Sequence, residues 1–228
     1  MAVVSLSSCA EMQQVMNQLP QTQGISGVDI AGGLKEALNN GISKQVTKLT
    51  TTDGFYKNEL VKILLPEELR KVDIGLRKLG LNSLADEGLK VLNRAAEDAV
   101  KEATPIFVDA VRNMTFMDAK TILMGNDNSA TNYLQNSTST ALYGKFNPVI
   151  KNSFTKVGAD KVWTNIITKY NSIPLVNKVN PDLTDYVTNQ AMNGVFKMVA
   201  VEEKNIRTNI NSRTSVLLQK VFAMQDRK

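Results

Sequence analysis

The sequence predicts an all-α fold, an irregular multi-helix bundle of about eight to ten short helices. Apolar residues recur every three or four positions through most of the chain, and helix start and stop signals divide that pattern at short intervals. With 43% hydrophobic and 21% charged residues, the composition is that of an ordinary globular protein able to bury a core. Residues 1–28 read as a leader and tether, and residues 29–226 as a single all-helical domain.

From Gln18 to Gly33 the chain is polar and broken by Pro20, Gly24, Gly27, Gly32 and Gly33, which predicts a tether running into a helix start near Asp29. Ile30, Leu34, Leu38, Ile42, Val46 and Leu49 then repeat at helical steps, so a first long helix ends near Thr50. After the Thr52-Asp53-Gly54 turn, Asn58 to Leu65 is short and apolar and is expected to be buried. Pro66 with Glu67 and Glu68 starts the next helix, because a proline at the first position forfeits no bond and acids face the positive end of the dipole. Leu69, Val72, Leu76 and Leu79 form its stripe, and Gly80 ends it.

Ser83 with Asp86 predicts a capping box at the head of a helix whose inner face is Leu84, Leu92, Ala95, Ala96, Ala99 and Ala103; small residues there predict close helix contact. Thr104-Pro105 restarts the chain, and Thr115 with Asp118 repeats the start signal before Ile122, Leu123 and a stop at Gly125. The run Gly125-Asn126-Asp127-Asn128-Ser129 lacks the alternating acids and terminal Glu of a calcium loop, so its Asn and Asp side chains are expected to accept backbone N–H groups at a helix start. Tyr133 to Phe146 continues helically to a new turn at Asn147-Pro148, and Trp163 is expected in the core.

Asp182 begins a helix through Tyr186, Val187, Met192, Val195, Phe196 and Val199, and extending that stripe places Glu202, Glu203 and Ile206 on or beside the apolar face. A carboxylate there needs a partner, since an unpaired buried charge is costly. Arg207 follows Glu203 by four residues, the favourable orientation for a helical ion pair, and Arg213 follows in the next turn region. One reading makes Glu203, Arg207 and Arg213 an ion-pair network joining the last two helices. The other makes Glu202, Glu203, Arg207 and Arg213 a binding site for an anion, with guanidinium forks facing an accessible cleft. Ser212 or Thr214 then starts a final helix carrying Leu217, Leu218, Val221 and Phe222.

The chain has no histidine, which removes the usual neutral-pH proton carrier and the Ser-His-Asp and Cys-His arrangements. With one cysteine, no zinc-type cluster exists and no intrachain disulfide forms. No catalytic residue, metal or cofactor is expected. The net charge of +5 is spread at helical intervals among acids, and no recognition motif points to nucleic acid. At the N-terminus, Leu6-Ser7-Ser8-Cys9 resembles the end of a bacterial lipoprotein signal, in which small residues precede a cysteine that receives lipid. Cys9 is therefore the expected lipidation site and the only expected route to a membrane, because no run is long and apolar enough to span one.

A resemblance covers most of the remainder. Asp118-Ala119, Ile122-Leu123 and Gly125, Ala130-Thr131-Asn132-Tyr133-Leu134, Phe146-Asn147-Pro148, Asp182-Leu183 with Tyr186-Val187-Thr188, and Glu202 through Arg207 to Arg213, Leu217-Leu218 and Val221-Phe222 occur in order. In these the chain is similar to a bacterial family catalogued as a domain of unknown function, family 4197, over about Gly33 to Phe222. The resemblance implies an exported or lipid-anchored helical protein and brings no activity or cofactor with it.

The expectation that follows is a non-enzymatic cell-envelope protein, in the periplasm or at the outer membrane, anchored through Cys9 and binding an envelope partner or an apolar ligand between helices. The alternatives are an enzyme or anion-binding protein built on Glu202, Glu203, Arg207 and Arg213, and a cytoplasmic accessory protein whose Cys9 carries no lipid. Ligand, partner and oligomeric state are not specified by the sequence.

Overall fold

Each stripe of apolar side chains meets another helix in the computed structural model, which describes residues 26–78, 80, 82–172, 174–175, 178, 180 and 182–226. The leader with Cys9, Leu79 of the predicted stripe, and Pro181 lie outside the described residues. The α-helices are α1 (Gly27–Thr50), α2 (Arg70–Lys78), α3 (Asn82–Val100), α4 (Ala103–Asn113), α5 (Phe116–Leu123), α6 (Ser129–Val157), α7 (Ala159–Asn171), α8 (Leu183–Thr208) and α9 (Val216–Phe222). Short 3-10 turns at Glu67–Leu69 and Ile210–Ser212 precede α2 and follow α8, and no strand occurs among the described residues. The all-α expectation holds.

Helix α8 is the hub: it packs on α6, α1 and α3, while α1 also carries α4, α5 and α9, and α6 carries α3, α4, α5 and α7. One core cluster runs from Ile30 to Phe222 through Leu34, Phe55, Phe107, Phe146 and Val195. Phe107 meets Phe196 edge-on, with centroids 5.9 Å apart and planes at 76°. The expected small inner face is split between two helices: Ala95, Ala96 and Ala99 of α3 and Ala103, the first residue of α4, are all at most 1% exposed, which lets helices approach closely. Two glycines make comparable close approaches. A Cβ on Gly33 of α1 would lie 2.7 Å from Val221 Cγ2 of α9, and one on Gly194 of α8 would lie 2.7 Å from the Phe55 ring.

Start signals on Asp and Thr behave as expected where their side chains face their own helix. Ser26 and Asp29 form a capping box on α1, Thr115 and Asp118 form one on α5, and Asp182 accepts from Thr184 N at the head of α8. Trp163 is buried, as expected, with its ring 3.0 Å from the position of a Cβ on Gly88.

Other expectations are corrected. Helix α3 starts at Asn82, which puts Ser83 inside it, and Asp86 accepts from Arg77 of α2 at 2.8 Å in place of closing a capping box. The last helix is capped by Ser215, whose hydroxyl accepts from Leu218 N at 3.2 Å, so it starts later than Ser212 or Thr214. No turn forms at Asn147-Pro148, because α6 runs unbroken for 29 residues. An interior proline costs about 3 kcal/mol, but Pro148 lies on the exposed side while Leu142, Phe146, Ile150 and Phe154 bury the opposite stripe, whose burial at roughly 1.5–3 kcal/mol per side chain outweighs it. The helix then stops where Gly158 takes φ 68° and returns its N–H to Phe154 and Thr155. Helix α6, at 29 residues, is accordingly longer than expected, while α1 and α8, at 24 and 26 residues, have about the extents expected of them.

The stretch from Asn58 to Leu65 is only half buried, because it leaves the helical pattern. Val61, Ile63 and Leu65 point inward, while Leu60 and Leu64 are 50% and 49% exposed. That period of two belongs to extended backbone. Its inner edge is held by one side chain: Asn93 of α3, itself fully buried, accepts from Ile63 N at 2.8 Å and donates to Ile63 O at 2.9 Å, pairing with that residue as a neighbouring peptide group would.

Candidate functional site

The four residues singled out in the last third sit at the C-terminal end of α8, and their packing explains how the bundle closes. Helix α6 starts at Ser129 after Asn128, whose side chain makes no cap bond. The exposed N–H groups of its first turn are met from another helix. Glu203 Oε1 accepts from Ala130 N at 2.9 Å, and Oε2 accepts from Thr131 N at 2.9 Å and from the Thr131 hydroxyl at 2.8 Å. The Asn and Asp side chains of the 125–129 loop were expected in this role. A carboxylate more than seventy positions away takes it, since an anion at a helix N-terminus satisfies both the orphan donors and the dipole.

Arg207 completes the arrangement. Its Nε and Nη2 reach Glu203 Oε1 at 3.0 and 2.8 Å, Nη2 also donates to Ile122 O at 2.8 Å, and Nη1 donates to Leu123 O at 3.1 Å and Gln225 Oε1 at 3.2 Å. A guanidinium has five N–H donors, so none remains for a ligand. The pair thus caps the end of α5 and the start of α6 at once, with side chains 1% and 5% exposed.

Glu202 and Arg213 are separate from that pair. Glu202 faces α1, where Lys44 Nζ lies 2.7 Å from Oε1 and Gln45 Nε2 lies 2.8 Å from Oε2. Gln45 Oε1 is buried without a hydrogen-bond partner among the described residues. Arg213, just past the 3-10 turn, reaches back to the last turn of α8, donating to Ile206 O at 3.1 Å and Arg207 O at 2.9 Å, and it grips both oxygens of Asp226 above the Phe222 ring. The structure therefore joins Glu203 to Arg207, and it joins Arg213 to Asp226 rather than to Glu203.

The Arg213 hydrogen bond holds the Asp226 carboxyl below its ordinary value, against the opposing effect of burial. A carboxyl depressed in the folded state contributes stability above its unfolded value of 3.8, and that contribution is lost as pH falls through the lower folded value. Asp226→Asn is therefore expected to flatten the acid limb of the stability curve. Urea denaturation at pH 7 and pH 3 checks this: the difference between the two pH values should be smaller in the variant than in the parent, and an unchanged difference counts against the pairing.

Three concavities adjoin these elements. The innermost, between α1, α8 and α9, is a space of about 20 Å³ walled mainly by apolar side chains such as Leu34, Leu38, Ile42 and Phe222, with Glu202, Glu203 and Arg207 also on its lining. A groove of about 270 Å³ opens on its outer side past Lys44, Glu202, Asn211 and Thr214. A third, of about 490 Å³, lies on another face between residues 62–70 and the first half of α8. Among the described residues no group of three or more Asp, Glu, His or Cys side chains is placed to hold a metal ion, and no helix is long and apolar enough to cross a membrane.

The family model described as Protein of unknown function (DUF4197) matches residues 24–223. The chain belongs to this family. The DUF4197 match spans every helix from α1 to α9, so the capping pair, Glu202 and Arg213 all fall within it. No curated protein and no solved structure matches the chain.

In this DUF4197 protein, sequence reasoning paired Glu203 with Arg207 correctly by their spacing of four, and missed the partners that give the pair its purpose. Ala130, Thr131, Ile122 and Leu123 take part through backbone atoms or a hydroxyl, which leave no mark in a sequence. Lys44, Gln45 and Asn93 carry a weak signal, being polar residues at or beside apolar helical positions. Asp226 was legible only as an acid near the end of the last helix.

Proposed function

We propose that this protein is a non-enzymatic module of the cell envelope, anchored by lipid on Cys9, that binds a partner protein on its outer surface. The observation that carries this reading is how little room the core leaves at the candidate residues. The void between α1, α8 and α9, at about 20 Å³, has room for roughly one water molecule, whereas the grooves on the outside are an order of magnitude larger. An apolar ligand would have to displace core side chains, but a partner protein needs only the surface. The alternative built on Glu202, Glu203, Arg207 and Arg213 has little to work with at its centre, since the guanidinium of Arg207 has every donor engaged inside the protein.

The anchor is tested by growing cells with radiolabelled palmitate. The full chain is expected to carry label and to sediment with membranes, and Cys9→Ser is expected to lose both. Unlabelled wild-type chain in the soluble fraction would favour the cytoplasmic accessory role. Binding is tested in the same cells with a photo-crosslinking residue at Leu64 or at Asn211. A discrete crosslinked product from at least one position is expected, and its absence from both sinks the interaction reading.

A further inference from the structure

We infer that the groove between residues 62–70 and the first half of α8 receives an extended acidic segment of a partner protein; this rests on the interaction-module reading and names its surface and the chemistry of its partner. The groove holds about 490 Å³, within the usual size range of binding sites. Lys62 and Arg70 stand on its walls, Tyr186 and Gln190 close it from α8, and Leu64 and Pro66 line it with apolar surface.

Its charge is unbalanced. Lys62 Nζ lies 4.5 Å from the centroid of the Tyr56 ring, and Lys90 Nζ lies 5.7 Å from the same centroid, so one aromatic ring gathers two ammonium groups. Among the described residues neither lysine nor Arg70 is ion-paired, although most arginines of the bundle have found a carboxylate. Among the described residues on the groove wall, Glu67 is the one acid, beside Lys62 and Arg70. The local excess is positive, and an anion is the complementary occupant.

The backbone argues for an extended one. Residues 62–65 lie outside every helix and turn, with Ile63 pinned by Asn93 on the inner edge. On the outer edge Leu64 O accepts from the Tyr186 hydroxyl at 2.9 Å, while Leu64 N–H has no partner among the described residues. Leu64, half-exposed, adds apolar surface to the groove wall. An extended peptide places alternate side chains on opposite sides, so one with an acid at every second position presents that set to Lys62 and Arg70 while its backbone lies along Leu64.

The test uses purified protein and two fluorescein-labelled peptides, Glu-Leu-Glu-Val-Glu-Leu-Glu-Ser and its counterpart with Lys for every Glu, read by fluorescence anisotropy at low salt. The acidic peptide alone is expected to bind. K62E combined with R70E is expected to weaken it roughly tenfold, the effect of two surface ion pairs turned into repulsions. K145E combined with K156E, which makes the same change of net charge on the exposed side of α6, is expected to leave affinity unchanged. Equal losses in the two double variants would mean that only the overall charge attracts the peptide, and would overturn the assignment. So would no binding by the wild-type protein, or displacement of the peptide by millimolar inorganic phosphate. Unchanged circular dichroism and melting temperature confirm that the variants are folded. Because the assay needs no anchor, its failure alongside palmitate labelling and crosslinks from Asn211 would remove this groove and leave the envelope module standing.

Discussion

Replacing Arg207 by alanine is expected to destabilise the protein by about 3–5 kcal/mol, the usual cost of breaking a buried ion pair by removing one partner. The Glu203 carboxylate would lose both of its guanidinium bonds while remaining buried, and the carbonyls of Ile122 and Leu123 would lose their only side-chain donor among the described residues. Three helix ends are affected together, so the loss should appear as a lower midpoint in urea rather than as local fraying. Arg207→Lys should recover only part of it, since one ammonium cannot span Glu203 and two carbonyls at fixed positions. Replacing both partners by apolar residues, Glu203→Leu with Arg207→Met, should cost less than the sum of the single changes, because no buried charge is stranded. A loss below about 1 kcal/mol for Arg207→Ala would place the pair among ordinary surface ion pairs and would remove it as the clamp between α5, α6 and α8.

Asn93→Ala is expected to cost about 2–4 kcal/mol, because it strands both the N–H and the C=O of a buried residue, each worth roughly 1–3 kcal/mol when left unpaired. Ile63 is 1% exposed, so water cannot replace the amide without a local opening. Asn93→Asp should be nearly as harmful. Its second oxygen would face the carbonyls of Ile63 and Leu89, which now accept from the amide at 2.9 and 2.7 Å. Hydrogen exchange gives a residue-level readout: the Ile63 amide should exchange much faster in Asn93→Ala while amides of α6 change little. If Ile63 stays as protected as the core, the side-chain amide is not what holds the extended segment. The same variant should loosen the groove beside Leu64 and weaken binding of the acidic peptide even though Asn93 touches no part of it.

Helix periodicity in α1 and its start near Asp29, the small inner face of α3, the start signal of α5 at Thr115 and Asp118 and the burial of Trp163 were legible because each depends on residues within a few positions of one another. The spacing of four between Glu203 and Arg207 was legible for the same reason. Pro148 was misread because its local preference is set against a stripe of four large side chains whose burial outweighs it. The 125–129 loop was misread because its own Asn and Asp side chains offered a local cap, and nothing nearby in sequence announces that Glu203 arrives instead.

The sequence by itself determined the helical class, the order of the elements and the faces they bury, since side-chain spacing and start signals act within a turn or two. Only the tertiary structure decided which buried polar groups complete one another: Glu203 and Arg207 with the ends of α5 and α6, Arg213 with Asp226, and Asn93 with Ile63. Backbone donors and acceptors are the same in every residue, so their demand for partners becomes specific only when packing brings a particular side chain within about 3 Å.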